Sequence, residues 1–207
     1  MALGWSVALA CASSGGDPGR VFHPGLEPDG GAALDLARRL YPAASVEATG
    51  ETVLDFALWP YEDEVFIGAY PGGLAVCDRR LFQLDDDARR VADMIATELP
   101  GADCGVLVLH ERVSACWFRW YAGGVLVRDV YVTSDDGVVV DQGRRLPAEA
   151  PYWKAIDGGA PDVPLPFTPE EFGLELARAC LFGRELAGRG EDGFLPLELP
   201  LRRFRLA

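Results

Sequence analysis

The thiols and imidazoles of this chain are few: Cys11, Cys77, Cys104, Cys116 and Cys180, with His23 and His110. Cys104, His110 and Cys116 are evenly spaced, which invites a metal reading. In a strand–turn–strand unit, however, their separation depends on register, and no ligand motif uses that spacing. Two core cysteines beside a strand-end histidine are therefore the expectation, and no metal is assigned. No C-x-x-C occurs, which argues against a zinc knuckle or a redox pair, and no motif calls for a cofactor. Cys77 is the least ordinary thiol, because Asp78-Arg79-Arg80 follow it at the end of a strand and neighbouring arginines can lower a thiol pKa. A core cysteine followed by a solvated charge cluster is still the preferred reading.

Other catalytic patterns fare no better. Ser13-Ser14-Gly15-Gly16 lacks the spacing of a nucleophile elbow and the lysine of a phosphate loop. The carboxylate runs at Glu62–Glu64, Asp85–Asp87 and Asp135-Asp136 fall at turns and a helix start, where water screens them. Acid–base work needs burial to drive paired carboxylates apart in pKa. Solubility, capping and attraction of a basic partner are their expected roles.

Aromatics remain. In Trp117-Phe118-Arg119-Trp120-Tyr121 a two-residue period puts Trp117 with Arg119 and Tyr121, and Phe118 with Trp120. Leu146 to Lys154 is too rich in proline for a central strand and reads as a rigid surface loop carrying Tyr152-Trp153.

The elements that must position these groups are legible in outline. Cys104–His110, Val113–Tyr121, Val125–Thr133 and Val138–Asp141 form an antiparallel meander punctuated by Glu111-Arg112, Gly123-Gly124 and Asp135-Asp136-Gly137. Glu64–Tyr70 and Leu74–Cys77 flank Pro71-Gly72-Gly73, a hairpin signal. Val46 and the Val53–Leu58 segment read as short strands, and the tail from Phe194 to Leu206 as a terminal one. Helical periodicity marks Ala32–Tyr41, Asp85 to about Leu99, and a helix capped by Thr168 with Pro169 at its first position. Ser13 to Gly31 reads as a long surface loop. The expectation is one α+β domain over residues 1–207: a mixed, mostly antiparallel sheet with about three helices packed on it.

Composition narrows the partners. The chain has 207 residues, enough for one well-filled core, and 49% of them are hydrophobic. Its formal charge of −13, with 32 carboxylates against 19 Lys and Arg, repels phosphate backbones and anionic lipid. Nucleic acid and membrane are thus poor partners; a basic protein or peptide is a better one. The run Trp5 to Ala12 resembles a secretory core, but no Lys or Arg precedes it and it is short, so a buried first strand is expected. Scattered, odd-numbered cysteines suit reduced thiols and a cytoplasmic location.

Several separated motifs carry a resemblance: Gly4-Trp5, Leu40-Tyr41-Pro42, Val65 to Gly72, Cys77-Asp78-Arg79, Val113-Ser114 with Trp117-Phe118, Leu146-Pro147, Ala150-Pro151-Tyr152-Trp153, and Leu165-Pro166-Phe167 with Pro169. Together they are similar to an actinobacterial family classed as a domain of unknown function; Ser13–Pro28 departs from the pattern. The resemblance implies a cytosolic single-domain protein and carries over no activity and no catalytic residues.

Two functions follow as expectations. The first is a non-enzymatic binding or regulatory module, immunity- or antitoxin-like in one form, that engages a basic partner through its acidic surface and the Tyr152-Trp153 loop. The alternative is a small-molecule binder or enzyme with a pocket between the 70–77 hairpin and the Trp117 strand. Tyr70, Asp78, Arg79, Trp117 and Tyr152 would line it, with Asp78 as base, Arg79 fixing an anion and Trp153 counted among the ligand-binding candidates.

Overall fold

A computed structural model describes residues 6–16, 18–158 and 163–207. Gly4 and Trp5, two of the family-like residues, lie outside them. Among the described residues nine strands form one sheet: β1 (Val7–Ser13), β2 (Val46–Val53), β3 (Glu64–Tyr70), β4 (Gly73–Asp78), β5 (Asp103–His110), β6 (Ala115–Ala122), β7 (Val125–Thr133), β8 (Gly137–Gly143) and β9 (Pro200–Leu206). Their order is β2-β9-β3-β4-β1-β5-β6-β7-β8, and every neighbouring pair is antiparallel. The expected mixed sheet is therefore wholly antiparallel. The first and last of these strands are both internal, β1 between β4 and β5, β9 between β2 and β3.

Among the described residues six α-helices, twice the expected number, accompany it: α1 (Pro18–Val21), α2 (Gly30–Leu40), α3 (Leu54–Ala57), α4 (Asp86–Thr97), α5 (Ala150–Asp157) and α6 (Pro169–Leu176). The extra three are short. They sit where loop or strand was expected, and four to eight residues do not display a helical period clearly. A π-helical turn, Ala177–Phe182, extends α6.

Antiparallel sheets commonly leave one face to water; here both are covered. On β1, Ala8, Ala10 and Ala12 face one core with α2 and α4, whereas Val7, Leu9 and Cys11 face the other with α5, α6 and the π turn. The alanine row lets the helices approach closely. They meet it with Ala33, Leu36, Ala37 and Leu40 from α2 and Ala88, Val91, Ala92 and Ile95 from α4. Each buried leucine there is worth about 1.5–3 kcal/mol.

Caps set the helix starts. Asp29 accepts from the backbone N–H groups of Gly31 and Ala32, so α2 begins two residues before the apolar pattern does. Asp85 accepts from Ala88 N at 2.9 Å, and Thr168 from Glu171 N at 3.2 Å.

Two buried ion networks stiffen β6 and β7, one on each side. Toward α4, Asp129 accepts from Trp117 Nε1 (2.9 Å) and Arg119 Nε (3.0 Å), and Arg119 Nη1 reaches Asp93 (2.9 Å). Toward α5, Glu149 accepts from Arg128 Nη2 (2.7 Å), Trp153 Nε1 (2.6 Å) and Leu146 N (2.8 Å). The Leu146–Trp153 segment is thus a 3-10 turn and a helix pinned from beneath, not an exposed aromatic loop.

Candidate functional site

The strands' antiparallel run brings the start of β1 and the ends of β4 and β5 to one end of the sheet. Three segments cap that end: α3 with the following Leu58–Tyr61, the 3-10 turn Arg79–Gln83, and the 3-10 turn Glu111–Val113. The chain crosses over through backbone bonds, Ala8 N donating to Leu58 O at 3.1 Å. Glu111 N donates to Ser6 Oγ at 3.3 Å.

A cleft of two lobes opens there. One, of about 660 Å3, is bounded by Asp55, Phe56, Leu58, Glu111 and Arg112; the other, of about 500 Å3, by Tyr41, Glu62, Arg80 and Phe82. Trp59, Arg79 and His110 line both. The Trp59 and Phe82 rings lie 4.4 Å apart, and His110 stands edge-on to them at 6.0 and 5.9 Å. The Arg79 guanidinium carbon sits 4.6 Å from the centre of the Trp59 ring and 5.6 Å from that of Phe82. Trp59 is nevertheless 42% exposed, Tyr61 68% and Phe56 77%, so this rim offers more aromatic surface to solvent than a sheet end needs.

Charge pairing sets Arg79 apart from most of the arginines. Among the described residues thirteen arginines lie within salt-bridge distance of a carboxylate. Arg79 and Arg112 do not, although Asp55, Glu62 and Glu111 share the cleft. Stacking, worth about 0.5–2 kcal/mol, holds Arg79 and leaves its donors available. His110 Nδ1 is buried without a hydrogen-bond partner in the same cleft. Desolvating such an atom unpaired costs about 1–3 kcal/mol.

The residues nominated from sequence do not converge. Two strands, β1 and β5, separate β4 from β6, and Tyr70 and Trp117 face opposite cores. The Tyr70 hydroxyl donates to the Pro200 carbonyl, and its ring occupies the space that a side chain at Gly68 would fill. Trp117 is bonded to Asp129 in the core covered by α2 and α4. Asp78 is fully buried and committed to Arg80, accepting from its backbone N–H (2.9 Å) and Nη2 (2.7 Å). Arg80 in turn lies 3.9 Å over the Tyr41 ring, joining the Leu40-Tyr41-Pro42 and Cys77-Asp78-Arg79 motifs. Asp78 therefore anchors the turn that presents Arg79. Tyr152 packs edge-on to Phe167 and Phe172, its hydroxyl donating to Glu171 O, and Trp153 is only 4% exposed.

Of that set Arg79 alone lines the cleft. The sequence reading omits its neighbours Phe56, Trp59 and Arg112, and weighs His110 only as a metal ligand before settling on a strand-end residue. The available signal was Phe56-Ala57-Leu58-Trp59-Pro60-Tyr61: three aromatics around a proline, dense for a strand end.

Thiol chemistry finds no support in these environments. Burial pushes the Cys104 and Cys180 thiols up to about 12 and raises those of Cys11, Cys77 and Cys116 as well. No group of three or more His, Cys, Asp or Glu side chains suited to a metal occurs among the described residues, and no helix there is long and apolar enough to cross a membrane.

Fold and site together define a helix-covered antiparallel-sheet protein whose sheet end carries an open aromatic and arginine-lined cleft. The chain belongs to DUF6928, a family of unknown function, which it matches over residues 7–204. No curated protein and no solved structure matches it.

Proposed function

We propose that the protein is a non-enzymatic binding module, and that the cleft around Trp59, Arg79 and His110 holds its ligand: a small molecule with an anionic group on a flat, unsaturated body. One observation carries this. Arg79 is stacked, half-buried and without a carboxylate in a chain whose arginines are otherwise mostly paired, and an arginine fork in such a setting suits a carboxylate or phosphate. Trp59 supplies a face for stacking. His110 stands edge-on to the Trp59 and Phe82 rings and braces them, and Arg112 adds a second positive charge at the mouth.

Thermal-shift and tryptophan-fluorescence screening with planar carboxylates and phosphates tests the proposal. Ligands that stabilise the wild type should lose about tenfold or more in affinity in Arg79→Ala, the worth of one charge-assisted hydrogen bond. Hits that bind Arg79→Ala and Trp59→Ala as tightly as wild type would refute it.

A second reading rests on the exposure of Phe56 and Tyr61 beside Asp55, Glu62 and Asp63: an aromatic, acidic rim suited to a basic protein, of which an immunity- or antitoxin-like role is one form. Native mass spectrometry of gently purified protein separates the two. A retained basic protein that is lost in Phe56→Ser/Tyr61→Ser favours the second reading; a small added mass favours the first.

A further inference from the structure

The cations left without a carboxylate among the described residues do not scatter. Arg79 and Arg112 share the cleft; Arg144 and Lys154 share a second cavity, of about 760 Å3, and Arg205 stands alone on β9. The second cavity lies at the other end of the strands, beside Trp120 and Ala122 at the close of β6. Its apolar wall is Trp120, Val127, Leu146, Pro147 and Trp153. Its polar rim is Arg144, Arg145 and Lys154, with Asp157 the one carboxylate.

This wall is rigidly built. Glu149 fixes the Trp153 indole through Nε1 at 2.6 Å, and Glu149 is itself locked by fully buried Arg128. The Arg145 guanidinium lies 3.8 Å over the Trp153 ring while Asp141 neutralises it at 2.7 Å. Arg145 therefore forms wall, and Arg144 and Lys154 are the uncommitted charges. Lys154 is the chain's sole lysine. With 32 carboxylates in the chain, two exposed cations free of them on one apolar groove are a local reversal of the protein's sign.

We propose that this groove binds a small amphipathic anion, a carboxylate or phosphate carried on an alkyl or aromatic body. The head lies between Arg144 and Lys154, and the body lies along Trp120, Leu146, Pro147 and the edge of Trp153. Anionic heads meet a charge-assisted donor on each side, and the apolar tail leaves water for a surface that needs no rearrangement to receive it. The site is independent of the Trp59–Arg79–His110 cleft.

Calorimetric titration of the full chain with decanoate and with decyl phosphate tests this, with decanol and inorganic phosphate as controls and the indole N–H resonances of Trp120 and Trp153 as the locating signal. Saturable binding of either anion, with shifts at both indoles, is the expected result; which anion binds identifies the head group. Removing both charges in Arg144→Ala/Lys154→Ala should weaken binding about a hundredfold, about tenfold for each charge-assisted contact. Both positions are exposed, so the variant should fold. The proposal fails if neither anion binds below its micelle concentration, if decanol binds as tightly as decanoate, or if the double variant binds like wild type. It also fails if Arg79→Ala abolishes binding while the double variant does not, because the probe then occupies the other cleft.

Discussion

Replacing Glu149 by Gln should cost this protein a large share of its stability. Glu149 is fully buried and receives Arg128 Nε at 2.9 Å and Nη2 at 2.7 Å, Trp153 Nε1 at 2.6 Å and Leu146 N at 2.8 Å. Glutamine keeps the volume but removes the charge and turns an NH2 group toward donors. Breaking a buried ion pair by losing one partner costs about 3–5 kcal/mol, because the other charge stays buried. Asp141 still faces Arg128 at 2.6 Å, so the lower end, about 3 kcal/mol, is expected. Against a total of about 5–15 kcal/mol that is a severe loss, and at a urea slope of about 2–3 kcal/mol/M it moves the midpoint down by roughly 1–1.5 M. Urea unfolding followed by tryptophan fluorescence reads it directly. Adding Arg128→Met to Glu149→Gln should recover more than half of the loss, since the stranded charge is then gone. A single-variant loss below about 1 kcal/mol, or a double variant worse than the sum of the two changes, would refute the view that this pair is a mutually dependent buried network.

Three further outcomes follow from the geometry. Burial opposes ionisation of Asp141, but hydrogen bonds from Arg145 and Arg128 outweigh it and hold its carboxyl below the ordinary 3.8. A depressed folded value means stability is present above pH 3.8 and lost as the pH falls through the folded pKa, so Asp141→Asn should flatten the acid limb of a melting-temperature profile there; an unchanged limb would count against the assignment. With all five thiols raised by burial, native protein should react slowly with a thiol reagent, and half-buried Cys180 should be the first modified; rapid labelling of Cys77 would contradict its placement. Gly143 has φ +83°, and a Cβ there would run into the Val127 carbonyl, so Gly143→Ala should destabilise by about 1–3 kcal/mol in the same urea assay, and a neutral result would be inconsistent with that backbone.

Much of the fold was legible because local patterns are strong where the chain meets itself at short range. The 125–133 strand was bounded as observed, and the 64–70 and 73–78 hairpin within a residue, because turn residues mark their ends. The Thr168 cap announced α6 through a side-chain bond three residues long. Residues 54–57 have the residue types of a strand but form a helical turn, since four residues carry no period that tells the two apart. The Tyr152-Trp153 segment misled for another reason. Proline and aromatic content marks a non-strand, but burial of Trp153 depends on Arg128 and Glu149 meeting beneath it, and Arg128 lies 21 residues from Glu149.

The sequence alone determined the α+β class, the central apolar strands, the acidic charge and the membership suggested by its dispersed motifs. Each depends on residue type and on neighbours within a turn or a hairpin. Only the tertiary structure decided that the sheet has nine antiparallel strands, that β9 enters between β2 and β3, and that both faces are covered. It alone parted Tyr70 from Trp117 and brought Trp59, Arg79 and His110 together. Those contacts depend on which strand ends share one end of the sheet. Strand order is set by the summed burial of two cores, a quantity no local stretch of sequence contains.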